Sequence, residues 1–379
     1  MILKSRLFYI FTDFFNSVLL VFLPLLLKTF FQLSDNTFGT VMLIAGFFAI
    51  AGIILSHFIV VKFKQEKYAL ILEFILMLIA VVAIFFNTNI VIITITTGLC
   101  YLNRMAMYTI GDNMMVEIAN HNKLSFGKFR SFGSIGWGLS FLLNGYLVMN
   151  HPKLFLIVWF IFILLAIINL LFLPTLENRN KDETKVNYRL LLKYPNVLKY
   201  LIIAIIIYVL IYSVPPFINF RILELNGKVE IYSLVTAILV ILEFVMIYFA
   251  NEYRKRMVDK NYLITIGIFL SIKMLLISMT NIPLIIYLTA LFDPIIFGLI
   301  LSFNPTYIKQ SCDVKLNGLV LNIFGVLSLF FIALCSKFSS SIMEYFSLKY
   351  LFIFYLILAL LVIILSQLFK IKDYSQEEF

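Results

Sequence analysis

Two charged residues and a tryptophan have the types and the spacing to hold a hydroxylated ligand. Asp112 lies nine residues before His121, in a short polar break, and Arg130 lies nine residues after it. At ~1.5 Å per residue, both charges lie about 13 Å along their helices from that turn, and therefore at a similar depth. A carboxylate and a guanidinium at one depth either form an ion pair or bind the hydroxyl groups of a ligand from two sides.

Trp137 lies seven residues beyond Arg130, which is two turns along the same helix face. An aromatic face beside these charges suits a sugar ring, because the apolar C–H face stacks on the indole while the hydroxyl groups bond to the charges. The alternative is an ion pair that closes one end of the helices, with Trp137 as a packing or membrane-interface residue. The residues alone leave both interpretations open.

A second set of charges repeats this logic in the other half of the chain. Glu243 and Lys273 lie fifteen residues either side of Val258, and Lys273 and Asp293 lie ten residues either side of Pro283. One lysine is therefore level with an acid on each neighbouring helix. Two acids around one base can load and release a proton, because the neighbouring charges decide which acid is protonated. The alternative is a static pair that neutralises Lys273.

Three further charges lie within apolar segments, where an ionisable group is costly and marks a candidate functional position. Arg104 lies eight residues before Asp112, about 80° around the same helix. The arrangement of a helical bundle makes Asp13, on the first helix, its nearest candidate partner. Glu73 lies one to two turns into its helix, close to Lys67, so we expect it to pair there or to extend to the surface.

The elements that position these residues are apolar helices. Hydrophobic residues make up 62% of the chain and charged residues 13%, against about 45–50% and about 25% in soluble domains. This composition excludes a soluble globule and a disordered chain. Runs of ~20 apolar residues cross a bilayer as helices. The twelve predicted spans are 7–27, 38–61, 68–86, 90–119, 127–148, 153–173, 197–220, 230–250, 261–279, 283–308, 315–336 and 349–369.

The distribution of Lys and Arg among the breaks predicts the orientation of these helices. With the N-terminus inside, the inside breaks hold 22 of the 30 Lys and Arg residues and the outside breaks hold 6. Cytoplasmic loops are enriched in positive charge, so both termini are predicted to be cytoplasmic in a multi-pass protein of the cell membrane. The net charge of +10 follows from this topology and does not indicate a nucleic-acid partner.

The longest polar stretch, Glu177 to Lys193, falls after six predicted spans and before six more. It predicts an N-terminal six-helix bundle at 1–173, a cytoplasmic linker at 174–196 and a C-terminal six-helix bundle at 197–379. Two bundles of this kind are typical of transporters that expose a central site to either side of the membrane in turn.

The sequence lacks the motifs of several other classes of protein. It has no Gly-x-x-x-x-Gly-Lys phosphate loop and no paired nucleophile and base, so we predict neither ATP hydrolysis nor enzymatic activity. Its three histidines lack the spacing of metal ligands, and its three cysteines are too scattered for a disulfide framework. We therefore expect no metal and no cofactor.

The stretch FGKFRSFGSIGWGLSFLLNG, at 126–145, resembles the helix 5 signature of the lactose permease family of proton symporters, within the major facilitator superfamily. Asp112, Arg130 and Trp137 match the family's helix 4 acid, helix 5 arginine and the tryptophan seven residues later, with Asp in place of Glu. The resemblance implies that the acid and the arginine bind sugar hydroxyls and that the tryptophan stacks on the ring. Ser134 falls where the family has a substrate-shielded cysteine.

The second half of the chain resembles the same family less strongly. Lys273 falls at the family's helix 9 arginine, Glu243 at a helix 8 asparagine that contacts sugar, and Asp293 at the helix 10 histidine. The family's sugar-binding helix 8 acid falls at Val240, and its proton-carrying helix 10 glutamate falls at Ile296. The resemblance therefore does not imply specificity for galactose. Proton coupling would have to use Asp293, Glu243 or the helix 4 acid.

These patterns predict a monomeric twelve-helix transporter that imports a small hydroxylated solute, a sugar or an oligosaccharide, together with protons. The alternatives are a nucleoside or aromatic-acid proton symporter and a proton-coupled exporter of lipophilic cations. A membrane scaffold or enzyme would move no solute at all. The predicted substrate-binding residues are Asp112, Arg130, Trp137 and Ser134. The predicted proton-coupling residues are Glu243, Lys273 and Asp293, and the predicted intramembrane charge pair is Asp13 with Arg104.

Overall fold

The described residues of the first half of the chain form eight α helices. The structure is a computed structural model that describes residues 2–63, 65–122, 127–174, 193–369 and 371–374. Helices form because a backbone within a membrane must satisfy its own hydrogen bonds. The helices are α1 (Ile2–Ser17), α2 (Leu23–Thr29), α3 (Asp35–Phe63), α4 (Glu66–Phe86), α5 (Ile90–His121), α6 (Gly127–Arg130), α7 (Phe132–Asn150) and α8 (Pro152–Leu171).

The described residues of the second half also form eight α helices, and no strand occurs in the part of the chain that the structure describes. This result confirms the predicted all-α fold. The helices are α9 (Pro195–Ser213), α10 (Pro215–Glu224), α11 (Val229–Lys255), α12 (Asp259–Met279), α13 (Pro283–Thr289), α14 (Phe292–Ser311), α15 (Val314–Tyr345) and α16 (Leu348–Leu368).

Eleven stretches of helix among the described residues are long and apolar enough to cross a membrane. They correspond to eleven of the twelve predicted spans. The remaining predicted span, 230–250, lies within the helix α11, some of whose side chains lie outside the described residues. The chain is therefore a multi-pass integral membrane protein, and the orientation of its termini stays a prediction.

Proline interrupts or distorts two of the predicted single helices. The span predicted at 197–220 divides into α9 and α10, because Pro215 and Pro216 lack the N–H groups that a continuous helix needs. The first span continues from α1 to α2 through one π-helical turn, Val18–Phe22, which ends just before Pro24. A π turn of this kind rearranges the hydrogen bonds that a proline would otherwise break.

Two other breaks lie beside charged residues. The span predicted at 127–148 divides at Ser131, so that Arg130 ends α6 and α7 begins immediately afterwards. The span predicted at 283–308 divides between Thr289 and Phe292, and Asp293 therefore lies in the first turn of α14. The backbone keeps helical dihedral angles through both interruptions, so each is a local irregularity beside a charged side chain.

The chain forms two compact units. The first comprises Met1–Asp182, Val229–Ile238 and Ser336–Ser340, and the second comprises Glu183–Lys228, Leu239–Cys335 and Ser341–Phe379. Within the first unit α1 packs against α7 and α8, and α5 packs against α3 and α4. Within the second unit α16 packs against α12 and α9. Most of the predicted linker, 174–196, lies outside the described residues, so the predicted domain boundaries stay predictions.

Two glycines of α7 bring this helix close to α1. A Cβ atom at Gly136 would overlap the backbone carbonyl of Ile10, and a Cβ atom at Gly133 would overlap the carboxylate of Asp13. Small residues permit such close approach between membrane helices. The absence of a side chain at Gly133 leaves the space that the Asp13 carboxylate occupies.

Candidate functional site

A buried ion pair joins α1 to the end of α6. Nη1 of Arg130 donates a hydrogen bond to Oδ2 of Asp13 at 2.9 Å, and the hydroxyl of Tyr108 donates to Oδ1 of the same carboxylate. The Asp13 side chain is 10% exposed and the Arg130 side chain 39%. Arg130 has donor groups beyond the one that Asp13 accepts, and its exposure leaves them within reach of a solute.

Two tyrosines connect this ion pair to Asp112. The hydroxyl of Tyr9 donates to Oδ1 of Asp112 at 2.7 Å. The guanidinium carbon of Arg130 lies 5.2 Å from the ring centroid of Tyr9 and 5.1 Å from that of Tyr108. Both distances are typical of cation–π contacts. The tyrosine of each helix thus donates to the aspartate of the other helix, and Arg130 contacts both rings.

The contacts between α1 and α5 follow one antiparallel register. In each contacting pair the two residue numbers add to 120 or 121, which keeps corresponding side chains at equal depth. The pairs are Tyr9 with Asp112, Asp13 with Tyr108, Asn16 with Arg104, and the Leu19 carbonyl with Tyr101. This register decides which polar side chains can meet.

The register also determines which partners the predicted charges have among the described contacts. Asp13 lies opposite Tyr108 and forms its ion pair with Arg130, whereas the Nε–H of Arg104 donates to Asn16 one turn further along α1. Asp112 accepts from Tyr9, and of the two interpretations left open for Asp112 and Arg130 the direct ion pair is replaced by one between Arg130 and Asp13. The predicted charges at this level therefore lie in one cluster, but with different partners from those that helix spacing suggested.

Trp137 and Ser134 lie on α7, beyond the break that follows Arg130. The Trp137 ring centroid lies 5.9 Å from that of Phe141, and Phe141 contacts Phe22 edge to face at 5.1 Å. The backbone N–H of Ser134 donates to the Ser131 carbonyl across the break, at 3.3 Å. Both predicted residues are half-buried. Ser131 keeps helical dihedral angles between α6 and α7, so Trp137 still lies about two turns beyond Arg130 along the chain.

Sequence analysis missed the two tyrosines of the cluster. The pattern Tyr-x-x-x-Asp occurs twice, at 9–13 and at 108–112. Residues four apart lie on one helix face, so each copy presents a donor and an acceptor one turn apart. Two helices that carry this pattern in antiparallel register form two reciprocal hydrogen bonds, as Tyr9 and Tyr108 do here. The repeated pattern was the available signal.

The second unit contains a separate ion pair. Lys273 on α12 pairs with Asp293 in the first turn of α14. The Lys273 side chain is 6% exposed and the Asp293 side chain 22%. Ala290 and Leu291 keep helical dihedral angles between α13 and α14, and the backbone N–H of Asp293 donates to the Ala290 carbonyl at 3.1 Å. Glu243, the third predicted member of this group, lies on α11 and is half-buried.

A network of tyrosine and amide groups also lies in the second unit. The hydroxyl of Tyr200 donates to Oδ1 of Asn304 at 2.8 Å, and Nδ2 of Asn304 donates to the hydroxyl of Tyr208 at 3.4 Å. The Tyr208 and Tyr212 ring centroids are 5.6 Å apart, one turn along α9. Tyr212 in turn contacts Phe297 edge to face. This aromatic surface was not predicted from the sequence.

Membrane-crossing helices that hold two separate clusters of charge are typical of membrane transport proteins. The described residues include no group of three or more His, Cys, Asp or Glu side chains placed to hold a metal ion. The chain belongs to the Major Facilitator Superfamily, whose family model matches residues 7–303. It is a transporter and not an enzyme, and the predicted membership of this superfamily is confirmed.

Solved structures of transporters share this fold. A point mutant of the nucleoside transporter NupG has a TM-score of 0.85 at 11% identity, covering 97% of this chain and 99% of its own. The D-xylose-proton symporter has a TM-score of 0.79 at 14% identity, with 100% and 98% covered. The human organic anion transporter MFSD10 (TETRAN) has a TM-score of 0.64 at 11% identity, with 97% and 98% covered. No curated protein matches the sequence.

Proposed function

We propose that the protein is a proton-coupled importer of a small hydroxylated solute, a sugar or an oligosaccharide, that works by alternating access. The observation that supports this proposal best is the cluster around Arg130. Asp13, Tyr9 and Tyr108 contact the guanidinium, and its side chain is nevertheless 39% exposed. A preorganised cation with free donors can bind hydroxyl oxygens without first moving into position.

Asp112 supplies the complementary acceptor. Tyr9 occupies Oδ1 of this carboxylate, and Oδ2 is left to accept a hydrogen bond from a solute hydroxyl. A hydroxyl group both donates and accepts, so a polyol can bridge Asp112 and Arg130. In this proposal Trp137 stacks on the ring, as the resemblance to the lactose permease family implies, and Ser134 is a further substrate-binding residue.

Lys273 and Asp293 are proposed to couple transport to protons, with Glu243 as the second acid. A comparison within the second unit supports this role. Arg254 and Asp259 form two hydrogen bonds at 2.8 and 3.0 Å, and their side chains are 4% and 0% exposed. The Arg254–Asp259 pair has the geometry of a static bridge, whereas the partly exposed Asp293 can exchange a proton with water.

A nucleoside is the second candidate substrate, and the aromatic surface of the second unit favours it. Tyr208 and Tyr212 can stack on a planar base, and the amide of Asn304 lies beside them. The fold likeness to the nucleoside transporter NupG agrees with this alternative. We retain the sugar proposal because the cluster around Arg130 contains more charged side chains than this aromatic surface. Charged side chains can bind the hydroxyl groups of a sugar.

The positive charges in the breaks support further proposals about topology. We place both termini in the cytoplasm and the protein, as a monomer, in the cell membrane. Cysteine labelling from either side of intact cells would test the orientation, with one cysteine introduced at a time near each end. Labelling of both ends from outside would contradict it.

Uptake by proteoliposomes tests the proposed function. The panel contains labelled sugars, nucleosides and aromatic acids, with and without an inside-alkaline pH step. We expect one sugar class to accumulate and the accumulation to collapse when the gradient is removed. Accumulation of nucleosides instead would establish the second candidate. Efflux of a lipophilic cation, with no uptake of any solute in the panel, would contradict both proposals and indicate that the protein is an exporter.

A further inference from the structure

Glu73 is a fully buried carboxylate without a hydrogen-bond partner in the part of the chain that the structure describes. Its relative exposure is 0%, and neither Oε1 nor Oε2 has a partner. The expectation that Glu73 pairs near the surface or extends to it is therefore wrong. Glu73 belongs to the buried stripe of α4, together with Leu70, Phe74 and Met77, and the helix turns it inward.

A second polar side chain without a partner lies at the same depth on the neighbouring helix. The antiparallel helices α4 and α5 pack along their length, and their turn is centred on Thr88. Glu73 and Asn103 each lie fifteen residues from Thr88. Asn103 is 0% exposed, and its Nδ2 and Oδ1 atoms have no partner among the described residues. The buried region around α4 and α5 therefore contains two such groups at one level.

No ion pair with the charged groups on neighbouring helices neutralises Glu73 in the described structure. Tyr9 donates to Asp112, and the Nε–H of Arg104 donates to Asn16 on the α1 side of α5. On α3, the side chains of His57 and Lys62 lie outside the described residues. The charged groups on α4 itself and on the packed helices α5, α8 and α3 are Glu66, Lys67, Arg104, Asp112, Glu117, Lys153 and Asp35.

Stability does not explain this arrangement. A buried polar group without a partner destabilises the folded state, and an ionised carboxylate in such a place destabilises it more. An apolar residue at either position would remove that destabilisation. A proton on Glu73 removes the charge and leaves a neutral acid, which a membrane interior tolerates much better. The pair of unsatisfied groups therefore points to a role in proton binding.

We propose that Glu73 is a proton-binding site of the first unit, loaded with a proton in this conformation and separate from the Lys273–Asp293 pair. It adds a proton site on α4, in a different unit from the proposed coupling residues. The site does not depend on the identity of the solute. It rests on the burial of Glu73 and on the absence of a partner for it among the described residues.

Infrared spectroscopy of the purified full chain in liposomes tests this site at neutral pH. The carbonyl stretch of a protonated carboxylic acid is separate from the bands of ionised carboxylates, so a variant spectrum subtracted from the wild-type spectrum reports one residue. We expect Glu73→Gln to remove one carboxylic-acid band. The control is Glu66→Gln, which changes a buried glutamate at the end of the same helix and should leave that band in place.

The result is independent of the transport proposal, because no substrate is present. A spectrum in which Glu73→Gln removes no carboxylic-acid band would overturn the proton site. A Glu73→Gln variant that unfolds would be replaced by Glu73→Asp, which keeps a carboxylic acid and should shift the band instead of removing it. An unshifted band in Glu73→Asp would also overturn the proposal. Failure of all uptake assays would contradict the proposed function and leave this measurement valid.

Discussion

The two charged clusters differ in how completely their hydrogen bonds are satisfied. In the first unit, Asp13 accepts from both Arg130 and Tyr108, and Asp112 accepts from Tyr9. In the second unit, Lys273 and Asp293 form an ion pair at a break in a helix. The first cluster is a network held by three helices, and the second is a pair held by two.

This difference suggests that the two clusters have different roles in transport. A network in which each acid has a tyrosine donor keeps its geometry, which suits the recognition of a solute. A pair whose acid is partly exposed to water can change its protonation with less rearrangement. We therefore assign solute binding to the first unit and proton coupling to the second, and the predictions below test that assignment.

The largest effect is expected at the contact between α1 and α7. Gly136→Ala places a Cβ atom on the backbone carbonyl of Ile10, and the helices must separate. We expect the free energy of unfolding to fall by about 1–3 kcal/mol, measured as thermal unfolding in detergent. The control is Gly318→Ala, where a Cβ atom would meet nothing within 4 Å. Equal stability of the two variants would contradict close packing at Gly136.

Asp293→Asn should separate binding from coupling. The variant keeps a polar side chain but cannot exchange a proton, so solute exchange should continue while accumulation against a gradient is lost. The measurement is counterflow compared with pH-driven uptake. Because Lys273 is left buried without its acid, the double variant Lys273→Gln, Asp293→Asn distinguishes lost coupling from lost folding. Asp313→Asn, at an exposed acid that accepts from Tyr194, is the control, and wild-type accumulation in Asp293→Asn would exclude the coupling role.

Asp112→Asn should weaken solute binding and leave the second unit unchanged. The amide keeps the hydrogen bond from Tyr9 but loses the charge that complements the solute hydroxyls. Charged hydrogen bonds contribute about 1.5–3 kcal/mol, so we expect roughly 10-fold to 100-fold weaker binding. Binding measured by calorimetry in detergent would test this prediction. A variant that binds normally but fails to accumulate solute would reverse the assignment of the two clusters.

Tyr9→Phe should produce the smallest effect, because it removes one hydrogen bond and keeps the aromatic ring beside Arg130. The net contribution of such a bond is about 1 kcal/mol, which corresponds to roughly fivefold weaker solute binding. Tyr108→Phe is the matched variant, since it removes the reciprocal bond to Asp13. We expect it to reduce stability more than binding. Identical losses of affinity in both variants would mean that the two halves of the network are equivalent.

Helix spacing predicted the depth of the charged residues but not their partners. Lys273 and Asp293 lie at equal distances from the turn between their helices, and they form an ion pair. Asp112 and Arg130 also lie at equal distances from the turn between their helices. Asp112 nevertheless accepts a hydrogen bond from Tyr9, and Arg130 forms its ion pair with Asp13. Hairpin symmetry describes only helices that are adjacent in sequence. That symmetry cannot identify α1, the third helix of the first cluster, because α1 is distant in sequence from α5 and α6.

Composition alone determined that this chain is an all-helical membrane protein, because a bilayer allows few other structures for runs of apolar residues. The tertiary structure decided which side chains meet. The register between α1 and α5 pairs Tyr9 with Asp112, and the rotation of α4 encloses Glu73. Both depend on the packing of helices distant in sequence, where glycines such as Gly136 set the separation. A one-dimensional pattern of apolar residues contains no information about that packing.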